Sequence, residues 1–209
     1  MVINTTTTLM RDITLLYERI DRSNLDTRKL KNLFDMQSVS MDTPDILVIV
    51  YPPLQLIIQI AEQHIRITHQ QQSNKVDALA LWDVAEICQR LAGSKHMLAY
   101  GFNYDIVSNV DPAVLEAVTN RWFFANRSAV STLLEGDIVA FAPRLKFKRS
   151  GITYDLLLEE IAPGMLKSHL NAHFESKRLP PKAQLKSSFL AEYEKFSTLL
   201  HRLFDGEQG

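Results

Sequence analysis

The sequence predicts an α+β fold: two similar β-α-β-β-β-α halves, residues 1–93 and 94–209, forming a mainly antiparallel sheet covered on one face by about four helices. Two strand-rich blocks, 45–72 and 137–177, recur in the chain, and each is preceded by a short amphipathic segment and followed by a long one. The turns inside each block are too short for crossover helices, so neighbouring strands must pair antiparallel. Helices then have to cover one face. Pairwise identity between the halves is negligible, so the echo is one of pattern.

Residues 5–20 (TTTTLMRDITLLYERI) are rich in β-branched residues and lack Gly and Pro, which reads as a strand, although LMRDITLLYERI also fits a helix. A short helix is predicted over Leu25–Phe34 with Ser23 or Asn24 as N-cap, and Asp42-Thr43-Pro44 breaks the chain before the first block. That block reads as strands Ile46–Tyr51, Leu54–Ile60 and Ile65–Gln70, with Pro52-Pro53 marking the first turn. A turn at Glu62-Gln63 sets Ile60 opposite Ile65, Ile58 opposite Ile67 and Leu56 opposite His69. The other face then pairs Gln59 with Arg66 and Ile57 with Thr68, the one-sided pattern a half-covered sheet requires. A helix over Asp77–Ala92 follows, with Leu81, Val84, Ile87, Cys88 and Leu91 on one stripe and Gly93 as its stop.

The second half opens with a strand, Met97–Val107, in which Leu98, Tyr100, Phe102, Tyr104 and Ile106 alternate with smaller or polar residues. Asp111-Pro112 starts a helix over Ala113–Phe123, extended or followed by a turn at Ala129–Leu134. Ser150-Gly151 sets a hairpin that places Phe147 against Tyr154, Leu145 against Leu156 and Lys146 against Asp155. A turn at Ala162-Pro163-Gly164 leads to a third strand near Lys167–Ser176. A final helix over Ser188–Phe204 carries Phe189, Tyr193, Phe196, Leu200 and Leu203 at helical spacing. In element order alone the chain is similar to saddle-shaped duplicated folds of the TATA-binding type and to duplicated effector-binding modules of bacterial regulators. It carries no sequence motif of either, so nothing about their sites carries over.

Composition narrows the function classes. With 46% hydrophobic and 22% charged residues, the 209-residue chain is an ordinary globular protein. A net charge of −1 offers no global field for nucleic acid or an anionic membrane. No window reaches the ~20 apolar residues of a membrane helix, and the N-terminus does not read as a secretory signal. The single cysteine, Cys88, excludes an internal disulfide and a CxxC metal site; it reads as a small buried hydrophobe in a cytoplasmic protein. The seven glycines form no phosphate-binding loop, and GxSxG, HExxH and EF-hand patterns are absent. No cofactor or metal is expected.

Three groups of residues invite a functional reading. His169 and His173 are the one His pair at suggestive spacing, but four residues apart on a strand they lie roughly 13 Å apart and cannot share a metal. Together with Glu160 they are the candidates for a scattered catalytic site. Arg144, Lys146, Lys148 and Arg149 form a basic stripe that would contact phosphates of a nucleic acid or another ligand, with Tyr100, Phe102 and Tyr104 as stacking partners if they were exposed; their phase places them in the core instead. Arg121-Trp122-Phe123-Phe124 ends a helix with a dense aromatic run, and Trp122, Phe123 and Phe124 suit a homodimer interface. The reading favoured by the charge balance is a non-catalytic binding protein that holds a small molecule or protein partner on its sheet face or between its halves. Nucleic-acid binding through the stripe and an enzyme with a Glu/His site stand as alternatives.

Overall fold

The β-branched N-terminal stretch extends as one long strand, β1 (Ile3–Tyr17), which settles the choice between strand and helix. The computed structural model describes residues 3–34, 36–70, 81–93, 96–122, 125–135 and 142–205. After β1 come a 3-10 turn, Arg22–Asn24, and helix α1 (Thr27–Lys31), then strands β2 (Val39–Asp42), β3 (Ile46–Tyr51), β4 (Leu56–Ala61) and β5 (His64–His69), and helix α2 (Leu81–Ala92). The second half runs β6 (Met97–Val110), α3 (Pro112–Trp122), α4 (Arg127–Leu134), β7 (Arg144–Arg149), β8 (Ile152–Ala162), β9 (Met165–Phe174) and α5 (Lys182–Asp205). The fold is α+β: among the described residues nine strands form one antiparallel sheet in the order β2-β3-β4-β5-β1-β6-β9-β8-β7, accompanied by five α-helices. Outward from the central β1–β6 pair, the order is mirrored as β5-β4-β3 on one side and β9-β8-β7 on the other; among the described residues β2 has no counterpart.

Both hairpins adopt the register that one-sided burial dictates. Leu56 faces His69, Ile58 faces Ile67 and Gln59 faces Arg66 across β4–β5, while Lys146 faces Asp155 and Phe147 faces Tyr154 across β7–β8. Ser150 and Gly151 take φ of 51° and 79°, the two left-handed residues of a type I′ turn. The structure departs from the sequence reading in smaller elements. β2 has all four residues exposed at the sheet edge, a stretch too short to show a period. The Leu25–Phe34 helix contracts to α1 because Asp26, not Ser23 or Asn24, caps it by accepting from the Lys29 amide at 3.0 Å. Pro52-Pro53 forms a 3-10 turn closed by Gln55 at φ 49°, which delays β4 to Leu56.

The covered face is the core. α2 packs on β1 and β5, α5 packs on β1 and β6, and α3 leans on α5. α1 sits over β3, where Tyr51 Oη donates to the Leu30 carbonyl at 2.5 Å. The expectation of about four covering helices is not confirmed: two lie directly on the central strands, and α4 leaves Leu133 and Leu134 82% and 64% exposed. Leu185, Phe189, Tyr193, Phe196, Leu200 and Phe204 form the buried stripe of α5. Phe189 meets Phe102 and Tyr104 with ring centroids 5.2 and 5.0 Å apart; each such side chain contributes about 1.5–3 kcal/mol through burial. Tyr154 Oη and Lys195 Nζ hold the buried Glu192 carboxylate at 2.8 and 2.6 Å. Cys88 is fully buried, and desolvation pushes its thiol up to about 12, which makes it a packing residue. Among the described residues no helix is long and apolar enough to cross a membrane.

Candidate binding site on the open sheet face

Strand alternation sends Arg11, Ile13 and Leu15 of β1 toward the helices and Asp12, Thr14 and Leu16 to the opposite, open face. Cross-strand pairing then builds rows on that face. Asp12 lies between Thr68 of β5 and Asn103 of β6, and the row continues through Asn171 of β9 and Asp155 of β8 to Lys146 of β7. The neighbouring row runs Arg66, Thr14, Gly101, His173, Thr153 and Lys148.

The Asp12 carboxylate organises the centre. Its side chain has no exposed surface although it belongs to the open face. Arg66 donates from Nε at 2.8 Å and Nη2 at 2.5 Å, Asn103 Nδ2 donates at 2.5 Å, and Thr14 Oγ1 donates at 2.9 Å. Burial pushes the Asp12 carboxyl above its ordinary range, outweighing the opposite pull of the Arg66 guanidinium. A carboxylate only accepts, so Asn103 must turn its amide NH2 to Asp12 and its oxygen outward, where Asn171 Nδ2 donates to it at 2.5 Å. One buried charge thus orients Arg66, Asn103 and Asn171 together.

Above this network lies an open depression of about 450 Å³ lined by Thr14, Leu16, His64, Arg66, Gly101, Asn103, His169, Asn171 and His173. Gly101 shapes its floor. Its backbone is not in the left-handed region, so the glycine is not needed for conformation. A Cβ there would stand 3.3 Å from Asn171 Nδ2, tighter than ordinary contact. Glycine within a central strand costs stability relative to a larger residue and marks a close approach of another group. Beyond Asn171, His169 Nδ1 pairs with Asp105 Oδ1 at 2.5 Å.

The structure brings two of the three catalytic candidates together and separates the third. His169 and His173 line the depression, whereas Glu160 lies in the covered-face phase at the far end of β8, its Oε1 accepting from the Gly164 amide at 3.1 Å. Among the described residues no cluster of His, Cys, Asp or Glu is arranged to hold a metal. Every residue of β7 is exposed, yet the basic stripe is partly neutralised. Arg144 Nε and Nη2 fork onto the two Asp155 oxygens at 2.8 and 2.7 Å, and Lys146 Nζ stands 3.5 Å from the same carboxylate. Lys148 shares the open face with them, and Arg149 has the opposite phase beside the hairpin turn. Tyr100, Phe102 and Tyr104 are buried at 6%, 0% and 0% exposure, so they offer no stacking platform. Trp122 ends α3, but its side chain and the residues Phe123 and Phe124 lie outside the described residues, as do positions 77–80 and 137–141 of the predicted elements.

Asp12, Arg66, Asn103, Asn171, His64 and Gly101 were not singled out by sequence reasoning. The available signal was Gly101, a lone glycine inside an otherwise regular strand pattern. Comparison of the chain with models of known protein families and with curated protein sequences gives no match.

Proposed function

We propose that the protein is a non-catalytic binding protein that holds a small molecule in the depression over Gly101. The observation that carries the reading is the open depression floored by Gly101, against which Asn171 packs closely, and flanked by side chains that a buried carboxylate holds in place. Rigid polar groups around a concave space of this size suit a ligand site. The carboxylates nearby support the frame: Asp12 accepts from three side chains and Asp105 is engaged by His169, so neither faces the cavity as a general base. Nucleic-acid binding is the weaker reading, because Arg144 and Lys146 are directed at Asp155. A common origin of the two halves is supported by the mirrored strand order, and a reducing, cytoplasmic setting by the single buried Cys88.

Native mass spectrometry of gently purified protein tests the binding reading. The wild type is expected to retain an additional small mass, and Gly101→Val, which fills the gap, to lose it. A mass retained equally by the variant, or no added mass on the wild type, counts against the reading. The same spectrum reports whether the chain forms the homodimer expected from Trp122, Phe123 and Phe124.

A further inference from the structure

We infer that the ligand of this depression carries an anionic oxygen group, a carboxylate or a phosphate; the inference rests on the binding reading above. The argument is one of hydrogen-bond capacity. Arg66 spends Nε and Nη2 on Asp12, and its Nη2 also lies 3.7 Å from Met10 Sδ, but Nη1 makes no hydrogen bond among the described residues. That nitrogen carries two donors on a side chain that is 35% exposed and lines the cavity. His64 lies two residues before Arg66 on the same strand face, and His173 enters from the far side of the Gly101 gap. Their ring N–H groups add donors to the same space.

The acceptors are already engaged. Asp12 is fully buried beneath its donors, Asp105 is held by His169, and Asp155 is held by Arg144 and Lys146. A cationic ligand would therefore meet no free carboxylate, while an anionic oxygen meets Arg66 at one wall and imidazoles beside it. The Asp12 carboxylate aims the guanidinium, leaving its outer edge as a preorganised anchor. Arg66 and His173 stand three strand spacings apart, roughly 14 Å between Cα atoms. The space between their side chains fits one carboxylate or phosphate with a small organic body over Gly101.

The test is a side-chain NMR titration of the full chain with acetate and with inorganic phosphate, against acetamide as the uncharged control. Saturable shifts of the His64 and His173 ring signals are expected with an anion and not with acetamide. Tighter acetate identifies a carboxylate ligand and tighter phosphate a phosphate. Arg66→Gln alone strands a buried carboxylate, so the variant to use is Arg66→Gln/Asp12→Asn, which removes both charges; it should weaken anion binding about tenfold or more. The surface variant His64→Gln/His173→Gln should weaken it about three- to tenfold without loss of fold. Equal binding of acetamide, absence of anion binding, or unchanged anion affinity in Arg66→Gln/Asp12→Asn overturns the inference. If a neutral mass is nevertheless retained by the wild type and lost by Gly101→Val, the binding reading survives and the anionic class alone fails.

Discussion

Two arginine–aspartate pairs lie on the open face, their aspartates in one cross-strand row, and they obey different physics. Asp12 and Asp155 are joined through Asn103 and Asn171, and each accepts two hydrogen bonds from an arginine, Arg66 in one case and Arg144 in the other. The Asp12 side chain is 0% exposed and the Asp155 side chain 19%. Burial dominates at Asp12 and raises its carboxyl above the ordinary value, whereas the Arg144 hydrogen bonds dominate at Asp155 and lower it. The contact chemistry is the same, so the opposite signs come from solvent. The exposed pair is a surface ion pair that neutralises part of a basic edge. The buried pair is a positioning device, and the cavity sits over it.

Removing the arginine separates the pairs most sharply. Arg66→Ala leaves a buried carboxylate with only Asn103 and Thr14, and we expect a loss of about 3–5 kcal/mol in urea unfolding, the usual cost of stranding a buried charge. Asp12→Asn introduced into the Arg66→Ala background should recover part of it, because the charge is gone. If Arg66→Ala costs no more than a surface pair, then Asp12 is not the buried anchor inferred here.

The pH axis sharpens the contrast. Asp12 has a raised folded value, so its contribution is present below the ordinary 3.8 and declines as pH rises through that folded value. Asp155 has a lowered value, so its contribution is present above 3.8 and is lost as pH falls through its folded value. Carboxyl NMR titration should place Asp12 above 3.8 and Asp155 below it, and Arg144→Ala should move only Asp155 back upward. A third group adds a pH dependence of its own. His69 is buried on the covered face, where desolvation and nearby Arg11 depress it from 6.5 to about 4. The neutral folded imidazole stabilises the protein above 6.5, and this contribution is lost as pH falls from 6.5 through 4. We expect about 1–2 kcal/mol less stability at the acid end of that window, and a flatter profile in His69→Leu. An unchanged profile in that variant would assign the acid limb to other groups.

The register of both hairpins was legible from residues alone because one face is buried: a slip of one residue would have exposed Ile58 and Ile60, or Tyr154 and Leu156. That register already placed Arg66 opposite Gln59 on the polar face and His69 opposite Leu56 on the apolar one. The site itself was not legible, because it depends on how β1 meets β6. Asp12 and Asn103 are 91 positions apart, and no local period joins them. Gly101 reads in sequence as a small residue between Tyr100 and Phe102, and only the fold shows that Asn171 packs closely where its side chain would stand. The partial neutralisation of the basic stripe was hidden for a related reason: the sequence showed the cations of β7, and the opposed Lys146–Asp155 pair, but not that Arg144 reaches diagonally to the same carboxylate.

That diagonal reach carries the smallest predicted effect. Arg144 is 63% exposed, so its ion pair works in a solvent-screened setting. Arg144→Ala should leave the urea unfolding midpoint nearly unchanged, and Lys146, 3.5 Å from Asp155, limits the loss further. A double-mutant cycle between Arg144 and Asp155 should show coupling that fades toward zero in about 1 M NaCl, where the screening length falls to roughly 3 Å. The Arg66–Asp12 coupling, measured in the same way, should persist at that salt concentration because no water or ion reaches the carboxylate. Equal salt sensitivity of the two cycles would mean that Asp12 is hydrated in solution, and the division between a surface pair and a buried anchor would fall.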